Sequence, residues 1–114
     1  MIDWARVAEL REELGEDDIG EVIEIFLEEV ENTISELNPN PTDAELEQYC
    51  HALKGSALNL GFQEFADVCK TGEVNTSTGQ PAGTIVVDIQ TSYSKSKASF
   101  LKQYDGPLNI GTPN

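Results

Sequence analysis

Apolar residues in this chain recur with helical spacing in five segments, most clearly in the second. Its apolar residues repeat at i, i+3 and i+4, which places them on one helix face. They are Ile19, Val22, Ile23, Phe26, Leu27, Val30, Ile34 and Leu37. Asp17 or Asp18 can cap the start, and Asn38–Pro41 ends the pattern, because proline disfavours helical geometry in the residue before it. The second segment therefore predicts a helix of about 20 residues.

The first and third segments also predict helices. Residues 3–14 form a short amphipathic pattern. Thr42 or Asp43 opens the third helix, and Thr42 with Glu45 has the spacing of a capping box, in which each side chain bonds to the other residue's backbone N–H. This third helix extends to about Leu60.

The last two segments are less regular. After a break at Gly61, the apolar face of a shorter helix consists of Phe62, Phe65, Ala66 and Cys69. Glycine costs about 1 kcal/mol relative to alanine in a helix interior, so Gly72 predicts an early end or a kink. A loop rich in Gly, Ser, Thr and Pro follows over residues 74–83. Residues 84–104 begin with β-branched residues typical of strands, but the length of their helical stripe favours a helix.

These five segments predict an all-α fold. The last four form an up-and-down four-helix bundle, and the first is a short additional N-terminal helix that closes one end. The chain has 114 residues, of which 39% are hydrophobic, enough to bury one modest core but not two. We therefore expect one domain over residues 1–105 and a flexible tail over residues 106–114.

The third helix has two different faces. Its apolar face consists of Leu46, Cys50, Leu53, Ala57 and Leu60. The opposite face consists of His51, Lys54, Gly55 and Leu58, which fall within about 60° of one another. The first face therefore belongs to the core, and the second is presented to solvent or to a partner.

The presented face combines groups suited to phosphoryl transfer. His51 is the only histidine of the chain, and a neutral imidazole can accept a phosphoryl group near pH 7 and later give it up. Lys54, one turn on, can reach the phosphoryl oxygens. Gly55 lowers helix stability, which the close approach of a partner protein would justify. Taken singly, these residues are also consistent with a surface histidine, a solvated lysine and a packing glycine.

The run H-A-L-K-G-S-A-L-N-L-G at residues 51–61, followed by Phe62 and Cys69, resembles the signature of histidine-containing phosphotransfer (HPt) domains. The resemblance covers residues 3–104 and is strongest over residues 45–69. It implies a four-helix bundle that carries an exposed, phosphorylatable histidine.

The resemblance also implies roles for individual residues. His51 would be the phospho-acceptor, Lys54 the phosphate-stabilising lysine and Gly55 the small residue that admits an incoming receiver domain. Leu58, on the same face, is the candidate for apolar docking, with Gln48 at its margin.

A further residue of the family is not identified by the sequence. Many HPt domains place a polar or basic residue on the next helix, close to the phosphohistidine. Here the corresponding segment, residues 70–75, reads Lys-Thr-Gly-Glu-Val-Asn. The resemblance does not say which of these residues, if any, has that role.

No segment resembles an ATP-binding site, because the chain has neither a Walker-type P-loop nor a kinase Gly-rich loop. The expected protein is a phosphoryl carrier in a two-component phosphorelay and not an enzyme. His51 would take the phosphoryl group from an aspartate of one receiver domain and pass it to another. No cofactor or metal of its own is expected, because the receiver supplies Mg²⁺ and the acidic residues. Response-regulator receivers are the expected partners, and a hybrid histidine kinase is a further candidate.

The chain is strongly acidic, with 21 Asp and Glu against 7 Lys and Arg and a formal net charge of −14. Nucleic acids and anionic membrane surfaces would repel it, because binding to them depends on clustered basic residues. No stretch approaches the roughly 20 apolar residues of a membrane span, and the start lacks a basic region followed by an apolar run. We expect a cytoplasmic monomer in which Cys50 and Cys69, which lack CxxC spacing, are reduced core thiols.

Three other functions fit parts of the pattern. The bundle could bind receivers without carrying phosphate, although the histidine argues against this. His51 could be a general base or a metal ligand, but neither a nucleophile motif nor an HExxH-like spacing accompanies it. A DNA mimic would explain the acidity but not the run from His51 to Gly55. Acceptance of a phosphoryl group would separate these possibilities.

Overall fold

The computed structural model describes residues 2–37, 40–106 and 108. The helices in these ranges are α1 (Trp4–Leu14), α2 (Glu16–Glu36), α3 (Asp43–Leu60), α4 (Gln63–Ser77) and α5 (Ala82–Gln103). Helix α3 packs against α2 and α4, and α5 packs against α4. The predicted all-α bundle with a short additional N-terminal helix is confirmed.

A single glycine separates α1 from α2. Gly15 has a φ of 82°, a value that favours glycine, and its N–H donates to the Arg11 carbonyl. Helix α2 begins at the next residue, so Asp17 and Asp18 lie inside its first turn. The prediction that one of them caps the helix was wrong, because Gly15 occupies that position. From the first turn, both carboxylates instead interact favourably with the positive end of the helix dipole.

Both ends of α3 follow from its sequence. The Glu45 N–H donates to Thr42 Oγ1 at 3.1 Å, and the Thr42 N–H donates to Glu45 Oε1 at 3.0 Å. These two bonds are the predicted capping box. At the other end, Gly61 adopts the left-handed conformation with a φ of 83°. The chain can therefore reverse direction at Gly61 and begin α4 at Gln63.

The core is built from one apolar stripe of each bundle helix. Fully buried residues of these stripes include Ile19, Ile23, Leu46, Cys50, Phe65, Cys69, Ile89 and Phe100. Phe62, in the turn between α3 and α4, is also fully buried. Its ring centroid lies 5.1 Å from that of Phe26 and 5.4 Å from that of Phe100. The turn that follows α3 is thus anchored in the centre of the core.

Helix α1 closes one end of the bundle. The Asp3 N–H donates to the Gly61 carbonyl at 2.7 Å, and Arg6 Nε donates to the Asn59 carbonyl at 3.0 Å. Both acceptors are backbone oxygens at the C-terminal end of α3, where carbonyls lack partners within the helix. The N-terminal helix therefore satisfies the end of the helix that carries His51.

Helix α4 is longer than its sequence suggests. It continues through Gly72 to Ser77, so the predicted early end at Gly72 and loop start at Val74 were wrong. A Cβ atom at Gly72 would lie 2.8 Å from Cys50 Sγ and 3.2 Å from Ile85 Cγ2. The glycine thus allows α3, α4 and α5 to approach closely, and this packing outweighs its low helix propensity.

Helix α5 confirms the helical interpretation of the last segment. Its buried residues include Val86, Ile89, Tyr93, Ser96 and Phe100, whereas Gln103, near its end, is exposed. Of the predicted flexible tail, residues 106–114, only 106 and 108 are among the described residues. None of the described helices combines the length and apolarity needed to cross a membrane.

Candidate functional site

The pairing of α3 with α4 brings a carboxylate to the histidine. The two helices are joined through Gly61 and Phe62, so they run antiparallel from this turn. His51 and Glu73 each lie 11 residues from Phe62, in opposite directions along the chain. The hairpin therefore places them at the same height on neighbouring helices.

Three side chains meet at this point. Glu73 Oε1 lies 2.9 Å from Lys54 Nζ and 3.4 Å from His51 Nδ1. The His51 side chain is 74% exposed, whereas those of Lys54 and Glu73 are 26% and 22% exposed. A largely exposed imidazole thus lies next to a partly buried ion pair between Lys54 and Glu73.

The ion pair keeps Glu73 ionised. Its hydrogen bond with Lys54 holds the pKa of the Glu73 carboxyl below its usual range, and the nearby His51 contributes in the same direction. Partial burial acts the other way and is outweighed. At neutral pH, Glu73 is therefore an anion positioned beside Nδ1 of the histidine.

This arrangement distinguishes the two ring nitrogens of His51. A carboxylate accepts hydrogen bonds and does not donate them, so its position favours a proton on Nδ1. In the neutral ring, the lone pair then resides on Nε2, on the far side of the ring from Glu73. The nitrogen that does not contact Glu73 is consequently the nucleophilic one.

The other predicted site residues of α3 lie around the histidine. Gln48 and Gly55 are exposed, and the Leu58 side chain, 48% exposed, is on the same helix face. A Cβ atom built at Gly55 would have no neighbour within 4 Å. Packing within the chain therefore does not require a glycine at this position. The alternative explanation, that Gly55 is a packing contact, does not apply.

An apolar groove lies beyond this face, between α1, α2 and α3. It has a volume of about 320 Å³, and its lining includes Leu10, Leu14, Val22, Ile25 and Leu60. Ile25 is 47% exposed, although it was not part of the predicted apolar stripe of α2. The sequence did not reveal this groove, because its lining comes from three separate helices.

Cys50 and Cys69 are free and buried, as expected for core thiols. Burial raises the pKa of the Cys50 thiol to about 11, and the nearby Glu73 charge adds to the shift. Burial likewise raises the pKa of the Cys69 thiol to about 12. Both groups are therefore neutral thiols at physiological pH, whereas nucleophilic chemistry requires a thiolate.

Glu73 is the site residue that sequence reasoning did not identify. Its segment, residues 70–75, was recognised as the place for a further polar residue, but no position within it was singled out. Counting outward from the turn at Phe62 would have paired Glu73 with His51. This counting assumes that α4 continues without a break through residue 72. The low helix propensity of Gly72 argued against such a continuous helix.

Metal ligands are not gathered at this site. Within residues 2–37, 40–106 and 108, no group of three or more His, Cys, Asp or Glu residues is arranged to hold a metal ion. The arrangement of His51, Lys54 and Glu73 is instead that of a nucleophile beside one ammonium and one carboxylate. Such a group can bind and release an anionic substituent on the imidazole.

Comparison with known proteins agrees with this geometry. A family model described as the Hpt domain matches residues 21–91, more than half of the 114-residue chain. The matched span includes all of α3 and α4 and hence the three residues of the site. Neither the curated proteins nor the solved structures yielded a match. The chain belongs to the Hpt domain family, whose role is phosphoryl transfer in two-component signalling.

Proposed function

We propose that this protein is a phosphoryl carrier that accepts a phosphoryl group on His51 from a receiver-domain aspartate and passes it to another receiver. The observation that supports this most strongly is the 74% exposed imidazole whose Nδ1 faces Glu73. This leaves Nε2 open to an incoming phosphoryl group. A docking residue would not need the lone-pair nitrogen to be the accessible one, and a general base, which would need it, is not accompanied by a nucleophile motif in this sequence.

The transfer follows from the chemistry of the two residues of α3. The Nε2 lone pair attacks phosphorus in line with the bond to the aspartate oxygen, and that bond's electron pair returns to the carboxylate. Lys54, three residues after His51, supplies an ammonium that can contact the phosphoryl oxygens. The Mg²⁺ ion expected in such a transfer belongs to the receiver, so the carrier requires no cofactor of its own.

The face around His51 is suited to docking a receiver. Gly55 leaves the backbone bare next to the histidine, and Gln48 and Leu58 supply polar and apolar contacts on either side of it. The groove that includes Ile25 provides a second apolar surface, between α1, α2 and α3. A partner that covers this face would exclude water from the transferring phosphoryl group.

The net charge and the requirements of the transfer reaction are consistent with a phosphoryl carrier that is not a kinase. A formal net charge of −14 disfavours nucleic acids and anionic membrane surfaces. Transfer requires a single exposed histidine, so a monomer suffices. We propose that the protein is cytoplasmic, because receiver domains and the sensor kinases that phosphorylate them would be accessible there. A hybrid histidine kinase is one such partner.

The proposal is tested by transfer of label from a phosphorylated receiver domain in the presence of Mg²⁺. We expect acid-labile labelling of the wild type and none of His51→Gln. Circular dichroism of both proteins controls for folding, and Lys54→Ala should be labelled at least about tenfold more slowly. Receiver binding without any labelling of the wild type would contradict the carrier and favour the docking module that carries no phosphate.

A further inference from the structure

We propose that the groove between α4 and α5 is a binding site for a small organic cation, an amine that also carries an apolar body and a hydroxyl group. Asp67 and Asp88 hold the ammonium from opposite banks of this α4–α5 groove, and Ser92 bonds to the hydroxyl. The site is separate from His51 and does not depend on the proposed function.

The α4–α5 groove follows the line where the two helices meet. One side-chain stripe of each helix lines it, with members spaced at i, i+3 and i+4. Its volume of about 400 Å³ is in the range of pockets that bind small molecules. Gly72 and Ile85 are buried and Val68 is half-buried, so these three residues form an apolar floor on which the body of a ligand can lie.

The charges above this floor are mostly negative. Among the described residues that line the groove, Glu64, Asp67 and Asp88 are carboxylates and Lys95 is the one basic residue. Lys95 attracts Glu64, and Gln63 Nε2 donates to Asp67 Oδ1 at 3.2 Å. The exposed Asp88 side chain has neither an ion pair nor a hydrogen bond within the described part of the chain. The groove therefore favours a cation over a neutral or anionic ligand.

Asp67 and Asp88 lie on opposite banks at nearly the same height. The two helices run antiparallel, and Gly72 lies against Ile85. Five residues back along α4 and five residues forward along α5, Asp67 is therefore level with Gln90. Asp88 is two residues from that level, which is about 3 Å along the helix axis. An ammonium seated between the banks is attracted by both carboxylates.

Ser92 supplies a hydroxyl that has no partner within the described part of the chain. Its residue is 8% exposed, and its Oγ is buried without a hydrogen bond. Serines inside helices commonly bond to the carbonyl four residues before them, but this one lines the groove instead. Because an unpaired buried hydroxyl is unfavourable, a ligand group that bonds to it is favoured. Ser92 is one turn from Asp88, about 5 to 6 Å between Cβ atoms, a separation that the amine and hydroxyl of a 1,2-amino alcohol can span.

The α4–α5 groove is on the far side of α4 from the histidine site. Thr71 and Asn75 line the groove, and each is two residues from Glu73. At about 100° per residue, Glu73 is therefore about 160° around the helix from both. An occupied groove leaves the face around His51 accessible.

The test titrates the nitrogen-15-labelled protein with phenylethanolamine and follows its backbone amides by NMR. Three related probes each change one group: phenylethylamine lacks the hydroxyl, phenylethanediol has a neutral hydroxyl in place of the amine, and mandelate has a carboxylate there. We expect phenylethanolamine to shift amides along residues 64–75 and 85–95, with a dissociation constant on the order of 1 mM for so small a probe. The diol and mandelate should bind at least about fivefold more weakly, and phenylethylamine about threefold.

Variants assign the individual contacts. Asp88→Asn should weaken phenylethanolamine binding by about threefold to tenfold. Asp18→Asn is the matched control, because it removes an exposed carboxylate from the first turn of α2, and it should change binding by less than about 1.5-fold.

Ser92→Ala separates a ligand contact from a structural role. It should bind phenylethanolamine and phenylethylamine equally, since the hydroxyl of the probe has lost its partner. Without a probe, it should raise the midpoint of thermal unfolding by about 1 to 2 °C, because an unpaired buried hydroxyl has been removed. A serine that stabilised the fold would give a lower midpoint.

Four results would overturn the proposal. Phenylethanolamine could give no saturable shift up to about 10 mM, or the diol or mandelate could bind as tightly as it does. Asp18→Asn could weaken binding as much as Asp88→Asn, which would make the amine a mere counterion of an acidic protein. Ser92→Ala could still prefer phenylethanolamine to phenylethylamine. None of these results bears on the labelling of His51, so the carrier function stands or fails separately.

Discussion

Gly55 and Gly72 are both glycines inside helices, yet their surroundings are opposite. A Cβ atom at Gly55 would meet nothing within 4 Å, whereas one at Gly72 would lie 2.8 Å from Cys50 Sγ. The first glycine keeps a surface bare beside the histidine, and the second lets three helices pack. The same intrinsic helix cost is offset by packing inside the chain at Gly72, whereas at Gly55 we propose that it serves the docking of a partner.

The largest expected effect is on stability, from adding the same side chain at the two glycines. Gly72→Leu should lower the free energy of unfolding by about 3 kcal/mol, because the bundle must open to admit it. Gly55→Leu should change it by less than about 1 kcal/mol, since helix propensity improves and nothing is displaced. Urea unfolding monitored by circular dichroism measures both. Equal losses in the two variants would contradict the comparison.

The second effect is on function, and here the larger loss is expected from the substitution at Gly55 and not from the one at Gly72. Gly55→Leu should slow phosphoryl transfer from a phosphorylated receiver by about tenfold or more, because the leucine obstructs the docked partner. Loading by phosphoramidate should fall less than about twofold, since that donor is small. Parallel time courses with the two donors check this prediction. Similar losses with both donors would place the defect in the histidine itself and not in docking.

A third effect concerns the contact between Gly72 and Cys50. Gly72→Ala should destabilise the protein by about 1 kcal/mol, the overpacking being partly offset by helix propensity. Removing the sulfur with Cys50→Ala should relieve the clash, so the two changes should couple favourably by about 1 kcal/mol. A double-mutant cycle of urea unfolding gives the coupling. Strict additivity would mean that Ile85, and not Cys50, limits the space.

The smallest expected effect is on the residue next to Gly72. The pKa of Glu73 lies below its usual range because of Lys54, so its ion pair with Lys54 stabilises the fold above the ordinary pKa of glutamate and loses this contribution as the pH falls through the lowered value. Glu73→Gln should therefore destabilise by less than about 1 kcal/mol at pH 7 and not at pH 2. Thermal unfolding at both pH values measures the difference, which should not persist in acid.

Much of the fold was predictable because local signals agreed with the global packing. The capping box of Thr42 and Glu45 and the left-handed Gly61 define α3 through backbone chemistry that depends on few neighbours. The two faces of α3 were also predictable from periodicity alone: Cys50 and Leu53 are buried, and His51 is exposed. Roles in phosphoryl transfer for His51, Lys54, Gly55, Gln48 and Leu58 remain predictions that the labelling experiments address.

The errors share one physical origin. Gly72 was interpreted by its intrinsic propensity, but its helix is held by contacts with Cys50 and Ile85, which are distant in sequence. Gly15 was predicted to cap the C-terminus of the first helix, but Asp17 and Asp18 were interpreted as caps of the second because the same glycine was not expected to flank both helices. In both cases a local rule was overridden by the way the helices meet.

The sequence by itself determined the helical class, the two faces of α3 and the presence of one nucleophilic histidine followed by a lysine. These features depend on spacing within single helices, where 3.6 residues per turn settles which side chains share a face. Only the tertiary structure decided that α4 continues past Gly72 and brings Glu73 to 3.4 Å from Nδ1 of His51. That contact joins two helices across the core, and its distance depends on packing that no single helix contains.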